Sequence, residues 1–365
     1  MHIYFDCQIF ALQKYGGISR YFVELAGRLP GNYQDIKTTV LAPLHINGYL
    51  ESSSVDSIGR RIPGFPGKHH FLKPINFSAS RFLLNKLTPD IFHETYYSLK
   101  SQSVSAPRVL TVYDMIHEHF PEQFNGPDLE IPVLKAAAVA RADHIITISN
   151  RTRNDLIEVL AVPPEKITVI PLASSFDVPS EDSLRRERPA KPYLLYVGLR
   201  QGVKNFSTLL NAYGHSKVLQ SDFDLLCVGG ESFTASELQT LQDAGLKEKV
   251  KHVQASDTML PALYSQAALF VYPSLYEGFG LPLLEAMRCG CPVVCSNTSS
   301  MPEIAGDAVF YFDPMNEEEM RTVMEKTVQS ETALKELQMR GYEREQQFSW
   351  DRCVMQTAEL YRSLL

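Results

Sequence analysis

The sequence predicts an α/β protein made of two doubly wound parallel-sheet domains, and three observations carry that prediction. Short apolar runs of strand length alternate with longer amphipathic runs along nearly the whole chain, the pattern of parallel strands covered by helices on both faces. The length of 365 residues exceeds what one hydrophobic core usually sustains. Between them, Ser174 to Pro192 is polar, charged and proline-containing and loses the hydrophobic period, which marks it as the expected linker.

In the first half, Ile3-Tyr4-Phe5, Thr38 to Leu41, Ile91-Phe92-His93, Val109 to Val112, His144 to Thr147 and Ile167 to Ile170 read as strands. Helices are expected from Ile18 to Leu29, from Pro132 to Arg141, and from Asn150 to Leu160 with Ser149 as its cap. The second series of strands is Tyr193 to Val197, Asp224 to Val228, Val250 to Val253, Leu269 to Tyr272, Pro292 to Cys295 and Ala308 to Tyr311. Asn316 to Gln346 is rich in helix formers, and Trp350 to Leu365 reads as an amphipathic helix. The expected domains are therefore 1–173 and 192–346, followed by a terminal helix in 347–365.

Bulk properties exclude several classes. Composition is 44% hydrophobic and 21% charged, which argues against disorder. No basic region with a long apolar run opens the chain and no eighteen apolar residues occur together, so neither a secretory leader nor a membrane span is expected, and the cytoplasm is the expected compartment. Six cysteines in so long a chain fit a reducing compartment, and Cys289, Cys291 and Cys295 read as small apolar residues around a turn and a buried strand, not as metal ligands. The net charge of -7 is uneven: Met1 to Ala173 has 17 Lys plus Arg against 16 Asp plus Glu, and the remainder has 18 against 26. No acidic residue lies between Asp56 and Asp90, an interval that carries Arg60, Arg61, Lys68, Lys73, Arg81, Lys86, His69 and His70 among Phe65, Phe71, Leu72 and Phe77. Residues 57–89 thus suit an anionic bilayer or a pyrophosphate-linked acceptor, the plain alternative being a solvated basic loop. Nothing points to nucleic acid.

The most informative segment is Glu277-Gly278-Phe279-Gly280-Leu281-Pro282-Leu283-Leu284-Glu285. It follows a short buried strand and runs into an apolar helical pattern with Pro282 suited to the first turn. A strand, glycine turn and helix start aims free N–H groups and a positive helix end beyond the sheet, where phosphate is held. Carboxylates on either side accept hydrogen bonds from hydroxyls. Eight helical residues at about 1.5 Å each span roughly 12 Å, the scale of two sugars joined by a diphosphate. That describes a nucleotide sugar; the plain alternative is one surface acid and one helix-face acid.

The Glu-x7-Glu spacing in this segment strongly resembles the retaining glycosyltransferases of family 4, and the resemblance runs almost the full chain. It takes in Gly16-Gly17-Ile18-Ser19-Arg20, Gly198-Leu199-Arg200 with Lys204, Gly229-Gly230-Glu231, and Cys291-Pro292-Val293-Val294 leading to Pro302-Glu303-Ile304. What it implies is a GT-B architecture, two Rossmann-like domains facing across a cleft with the last helix crossing back to the first. It also implies a donor site in which Arg200 and Lys204 hold the diphosphate, Glu285 takes ribose hydroxyls, Glu277 takes the transferred sugar, and Gly278, Phe279, Gly280 and Leu281 offer backbone amides. Gly16 and Gly17 would approach the phosphate from the other domain, with Arg20 one turn on, and the base would sit near Val253.

The acceptor side falls to the N-terminal domain. Many relatives carry a His-Asp pair after the strand Val109 to Val112, but here the pair is Tyr113-Asp114. Asp114 and then His117 are the expected catalytic groups beside Glu277, Arg200 and Lys204, with His93, Glu94 and Tyr113 on the acceptor; the plain alternative for Asp114 is a turn cap. The resemblance implies sugar transfer with retention by same-face attack, assisted by the leaving diphosphate, from a nucleoside-diphosphate donor, GDP-linked in one reading, to a saccharide or polyprenyl-linked acceptor of a surface polysaccharide. No cofactor is expected and no metal: Asp222-Phe223-Asp224 spells a metal-holding motif but precedes its strand, at the wrong end of a parallel sheet. The competing readings are a GT-B protein that binds nucleotide sugar without transferring it, motivated by Tyr113, and a dehydrogenase, which lacks G-x-G-x-x-G after the first strand.

Overall fold

The computed structural model describes residues 1–64, 68–176, 178 and 191–365, with the side chains of 68–70 left aside. Most of the expected linker, together with Phe65 and the side chains of Lys68, His69 and His70, lies outside the described residues. Two compact units result, Met1–Leu172 with Trp350–Leu365, and Ala173–Ser349.

The first unit is built on a parallel sheet of seven strands in the order β3-β2-β1-β4-β5-β6-β7. These are β1 (His2–Phe5), β2 (Lys37–His45), β3 (Ser57–Arg61), β4 (Ile91–Glu94), β5 (Arg108–Val112), β6 (His144–Thr147) and β7 (Ile167–Val169). The chain leaves β1 in one direction toward β2 and β3 and returns to the other side at β4, so β1 and β4 form a switch point. Ile3, Phe5, Val109 and Ile145 are fully buried, as expected of strands covered on both faces. The helix Gly17–Asn32 lays Phe22, Leu25 and Leu29 on this core at helical spacing.

Two elements of this unit differ from the sequence expectation. Ser57–Arg61 is a strand although only Ile58 is apolar in it, because it is an edge strand with most of its residues exposed. Lys68–Leu84 is a helix where a solvated loop was the plain alternative. Its buried Asn76 donates to the Leu44 carbonyl and accepts from the Leu44 N–H at 2.9 and 2.8 Å, satisfying the backbone where the pairing of β2 with β3 slips.

The second unit carries a six-stranded parallel sheet in the order β10-β9-β8-β11-β12-β13. Its strands are β8 (Tyr193–Val197), β9 (Asp224–Val228), β10 (Val250–Val253), β11 (Leu269–Tyr272), β12 (Val293–Ser296) and β13 (Phe310–Phe312). Leu194, Leu209, Leu225 and Val271 centre its core. Cys291 and Cys295 are buried there, and burial pushes both thiols far above their ordinary range, so they act as apolar residues. The switch point of this sheet falls between β8 and β11.

The last helix, Trp350–Ser363, belongs to the first unit. Trp350, Val354, Ala358 and Tyr361 are buried along one face, Trp350 stacks with Tyr21 at 6.2 Å, and Arg362 pairs with Asp35 at 3.0 Å. Burial of each large side chain on that face is worth roughly 1.5–3 kcal/mol, far more than the exposed ion pair.

Candidate active site

Parallel strands send all their carboxyl ends to one edge of a sheet, and ligands settle there at the switch point. In the second unit that edge brings three loops together. Gly198 to Lys204 follows β8, Gly229 and Gly230 follow β9, and Glu277 to Gly280 follows β11. Lys204 and Glu277, 73 positions apart, meet at the switch point with Nζ to Oε1 at 2.6 Å.

The turn after β11 is heavily fixed. Ser299 and Ser300 both donate through Oγ to the Glu277 carbonyl, at 2.6 and 2.9 Å, and Ser300 also donates to the Phe279 carbonyl. The Glu277 N–H donates to Ser299 Oγ at 3.2 Å. Gly280 sits at φ +98°, where a side chain is strained, and a Cβ there would stand 3.1 Å from Leu283. From it the helix Leu281–Arg288 starts with Pro282, which has no N–H, in its first turn; the Leu283 N–H donates to the Gly280 carbonyl at 2.9 Å, which leaves the Leu281 amide as the helix-start N–H without an intrahelical acceptor. Gly278, Phe279 and Leu281 complete the same turn, with Phe279 buried. Glu285, on that helix, is largely buried and accepts from the Tyr264 hydroxyl at 3.2 Å.

The two cations expected to hold diphosphate differ in availability. The Lys204 side chain is 27% exposed. That of Arg200 is 5% exposed, and its donors are committed to Glu237 at 2.8 Å, the Gly229 carbonyl at 3.0 Å and the Glu231 carbonyl at 2.7 Å, with Phe233 under the guanidinium. The Arg200 bond holds Glu237 down at about 2. Arg200 therefore braces the glycine turn after β9 in this structure; its position one residue beyond Leu199 turns it inward and leaves Leu199 exposed. Val253 ends β10, and its neighbour His252 meets the Phe233 ring edge at 5.8 Å. Asp224 opens β9 at the opposite edge and pairs with Lys251 at 2.5 Å and Lys191 at 3.5 Å. Among the described residues no three His, Cys, Asp or Glu side chains stand together as a metal site.

In the first unit Gly16 precedes the helix Gly17–Asn32, whose Ser19 N–H is taken by Gln13 Oε1 at 3.1 Å. The Arg20 guanidinium lies over the Tyr49 ring at 4.9 Å. The three residues expected on the acceptor are interior. His93 is fully buried between the Tyr361 hydroxyl at 2.6 Å and Thr111 Oγ1 at 2.9 Å, and burial drives its pKa down to about 3. Glu94 is fully buried and shared by Arg108 at 2.5 Å and Arg141 at 2.6 Å. Tyr113 occupies the position of the usual histidine but packs in the core, its hydroxyl 3.5 Å from the Thr95 carbonyl. A strand end looks accessible in sequence, but here Tyr361 of the last helix takes up His93, Arg108 and Arg141 take up Glu94, and the Thr95 carbonyl faces Tyr113, so all three side chains serve the interior.

Asp114 and His117 remain at the end of β5. The Asp114 side chain is about a third exposed, accepts from the Ile116 N–H at 3.1 Å and so caps the turn. His117 stacks on Phe124 with centroids 4.0 Å apart, and burial lowers its pKa, leaving a neutral ring at pH 7. Sequence reasoning missed Lys135, a fully buried lysine whose ammonium donates to the Asp114 carbonyl at 2.8 Å.

Two doubly wound sheets, with a glycine-led helix start and a lysine–glutamate pair at one switch point, define the class. Residues 15–173 match the sequence family described as Glycosyltransferase Family 4, and residues 180–346 match Glycosyl transferases group 1. The chain belongs to the family-4 glycosyltransferases, with the GT-B fold. It is 35% identical over 230 residues to O-antigen chain mannosyltransferase B of Escherichia coli, covering 60% of either chain, and 30% identical over 277 residues to the serotype-specific mannosyltransferase WbdA of Escherichia coli, covering 69% of this chain and 33% of that one. The match thus spans less than two thirds of either relative. Among solved structures, Anabaena Alr3699/HepE in complex with UDP and glucose superposes over 100% of both chains with a TM-score of 0.78 at 19% identity, a likeness of fold.

Proposed function

We propose that this chain transfers a hexose, mannose in the first instance, from a nucleoside-diphosphate donor to a saccharide or polyprenyl-linked acceptor in surface-polysaccharide synthesis, with retention and without a metal. The observation that carries this is the Lys204–Glu277 pair at the β8/β11 switch point, beside the glycine-led start of the helix Leu281–Arg288. In this reading the helix start and Lys204 receive the diphosphate and stabilise the charge it gains as the glycosidic bond breaks. Glu285 takes the ribose and Glu277 the hexose. Glu277 is held by a cation and a serine-pinned backbone, an arrangement for holding a sugar and not for attacking it, which favours same-face substitution assisted by the leaving group over double displacement. The mannosyl donor, and GDP as its nucleotide, is suggested by the relatives named mannosyltransferases.

The second unit is the donor half of this reading and the first unit the acceptor half. On the helix Lys68–Leu84, Phe71, Ile75 and Phe82 are exposed on one face, with Arg81 flanking it and Lys86, just beyond the helix, over the Phe82 ring at 4.5 Å, which supports peripheral contact with an anionic cytoplasmic leaflet. No helix among the described residues is long and apolar enough to cross a membrane.

The test is release of nucleoside diphosphate from a panel of nucleotide sugars, with chelator present. Turnover by wild type that is lost in Glu277→Ala supports the proposal. The buried Tyr113 in place of a histidine favours one alternative, a protein that binds the donor silently; nucleotide binding with no release under any acceptor would establish it.

A further inference from the structure

The carboxyl end of β5 holds a polar cluster with an unfilled requirement. The buried Lys135 ammonium donates to Glu118 Oε2 and to the Asp114 carbonyl, both at 2.8 Å, and stands 3.9 Å from Asp114 Oδ1. One cation thereby holds both ends of the turn between β5 and the short helix Ile116–His119. The Glu118 side chain is only 7% exposed, yet its other oxygen, Oε1, has no hydrogen-bond partner among the described residues. His117 Nδ1 is buried and lacks one too. The charges of Asp114, Glu118, Asp128 and Lys135 all act on His117, and those of Asp114 and Asp128 act on the Tyr96 phenol, so three carboxylates and one ammonium gather about these two rings.

A buried carboxylate oxygen without a donor is costly until a donor reaches it. Sugar hydroxyls are neutral donors of the right kind. A phosphate or uronate in the same place would meet an excess of negative charge. We propose that this cluster is the subsite for the acceptor's reacting sugar, that its occupant is a neutral saccharide giving hydroxyl hydrogen bonds to Glu118 and Asp114, and that Lys135 is the positioning residue that holds the two carboxylates in register. The proposal rests on the transferase reading and specifies its acceptor end. It also places any lipid-borne diphosphate away from β5.

The test uses the full chain and ligand-detected NMR with two probes, methyl α-mannoside and α-mannosyl phosphate, on wild type, Glu118→Gln, Lys135→Met and the double variant. Melting with added nucleoside diphosphates runs alongside. Methyl α-mannoside should bind wild type, bind Glu118→Gln roughly tenfold more weakly or worse, and bind wild type better than the phosphate probe does, while the nucleotide-induced shift stays the same in Glu118→Gln. If Lys135→Met alone fails to fold, the double variant, which removes both charges of the pair, should fold and still fail to hold the sugar. Equal binding of methyl α-mannoside by wild type and Glu118→Gln, no binding by wild type, or tighter binding of the phosphate probe overturns the proposal. Sugar binding as expected with no response to any nucleoside diphosphate would instead count against the transferase reading and leave the subsite standing.

Discussion

The buried pair His93 and Asp6 should give this protein an acid response that can be taken apart by substitution. His93 lies among Phe5, Phe22 and Tyr361, and burial lowers its pKa from the ordinary 6.5 to about 3. The unfolded chain therefore takes up a proton that the folded chain refuses, and stability falls as pH drops through 6.5, the loss ceasing to grow only near 3. At 1.36 kcal/mol per pKa difference of one, the whole effect is about 5 kcal/mol, of which about 2 kcal/mol is already lost near pH 5. Asp6 acts the other way: burial, then the charge of Glu94, raises it from 3.8 to about 6. Its folded form binds the proton first, so its contribution is present below 3.8 and is lost as pH rises through 6; near pH 5 it returns about 1.4 kcal/mol. For a unit of this size each kcal/mol moves the melt by roughly 2–4 °C. Between about pH 8 and pH 5, wild type should thus lose roughly 4–8 °C more than His93→Gln, and Asp6→Asn should lose roughly 3–6 °C more than wild type. Comparing each variant with wild type cancels every other titrating group. Melting curves that shift in parallel for all three proteins would refute the assignment of both protonation states.

Other perturbations have equally definite outcomes. Lys204→Met should weaken nucleoside diphosphate binding by roughly 10- to 150-fold, the range for hydrogen bonds to charged groups, as measured by calorimetry; an unchanged affinity would remove Lys204 from the site. Gly280→Ala should destabilise the second unit by about 1–3 kcal/mol, because φ +98° strains any side chain and the Leu283 contact is tight, and denaturant titration reads it directly. Tyr361→Phe leaves the His93 Nδ1 without its hydrogen-bond partner and should cost about 1–3 kcal/mol in the same titration. Phe71→Ser with Phe82→Ser should reduce co-sedimentation with phosphatidylserine vesicles while leaving donor release in solution unchanged; retention on vesicles equal to wild type would refute the docking face.

The donor half was readable because its features are local. An apolar strand closed by Pro273, a turn that needs Gly280, and a proline-started helix are all written within the segment 269–288. The meeting of Lys204 with Glu277 was only implied, since adjacency of β8 and β11 depends on strand order, which no local pattern encodes. The acceptor half was much less legible. His93, Glu94 and Tyr113 have the chemistry of a site, but Tyr361, Arg141 and Thr95, all distant in sequence from the groups they meet, turn them into interior groups. Lys135 sits in an apolar run, Val133-Leu134-Lys135-Ala136, where a lysine reads as the exposed face of a helix; only its partners Asp114 and Glu118 explain its burial. The helix Lys68–Leu84 was obscured by Pro74 and by its basic composition, and the strand Ser57–Arg61 by its place at the sheet edge.

The most direct measurement is single-turnover release of nucleoside diphosphate from the donor that most raises the melting temperature of the wild-type chain. Donor-dependent release by wild type, with product anomeric configuration retained and with Glu277→Ala inactive, is the result this account requires. Release that persists undiminished in Glu277→Ala, or a wild-type chain that neither binds nor cleaves any nucleotide sugar, would contradict it.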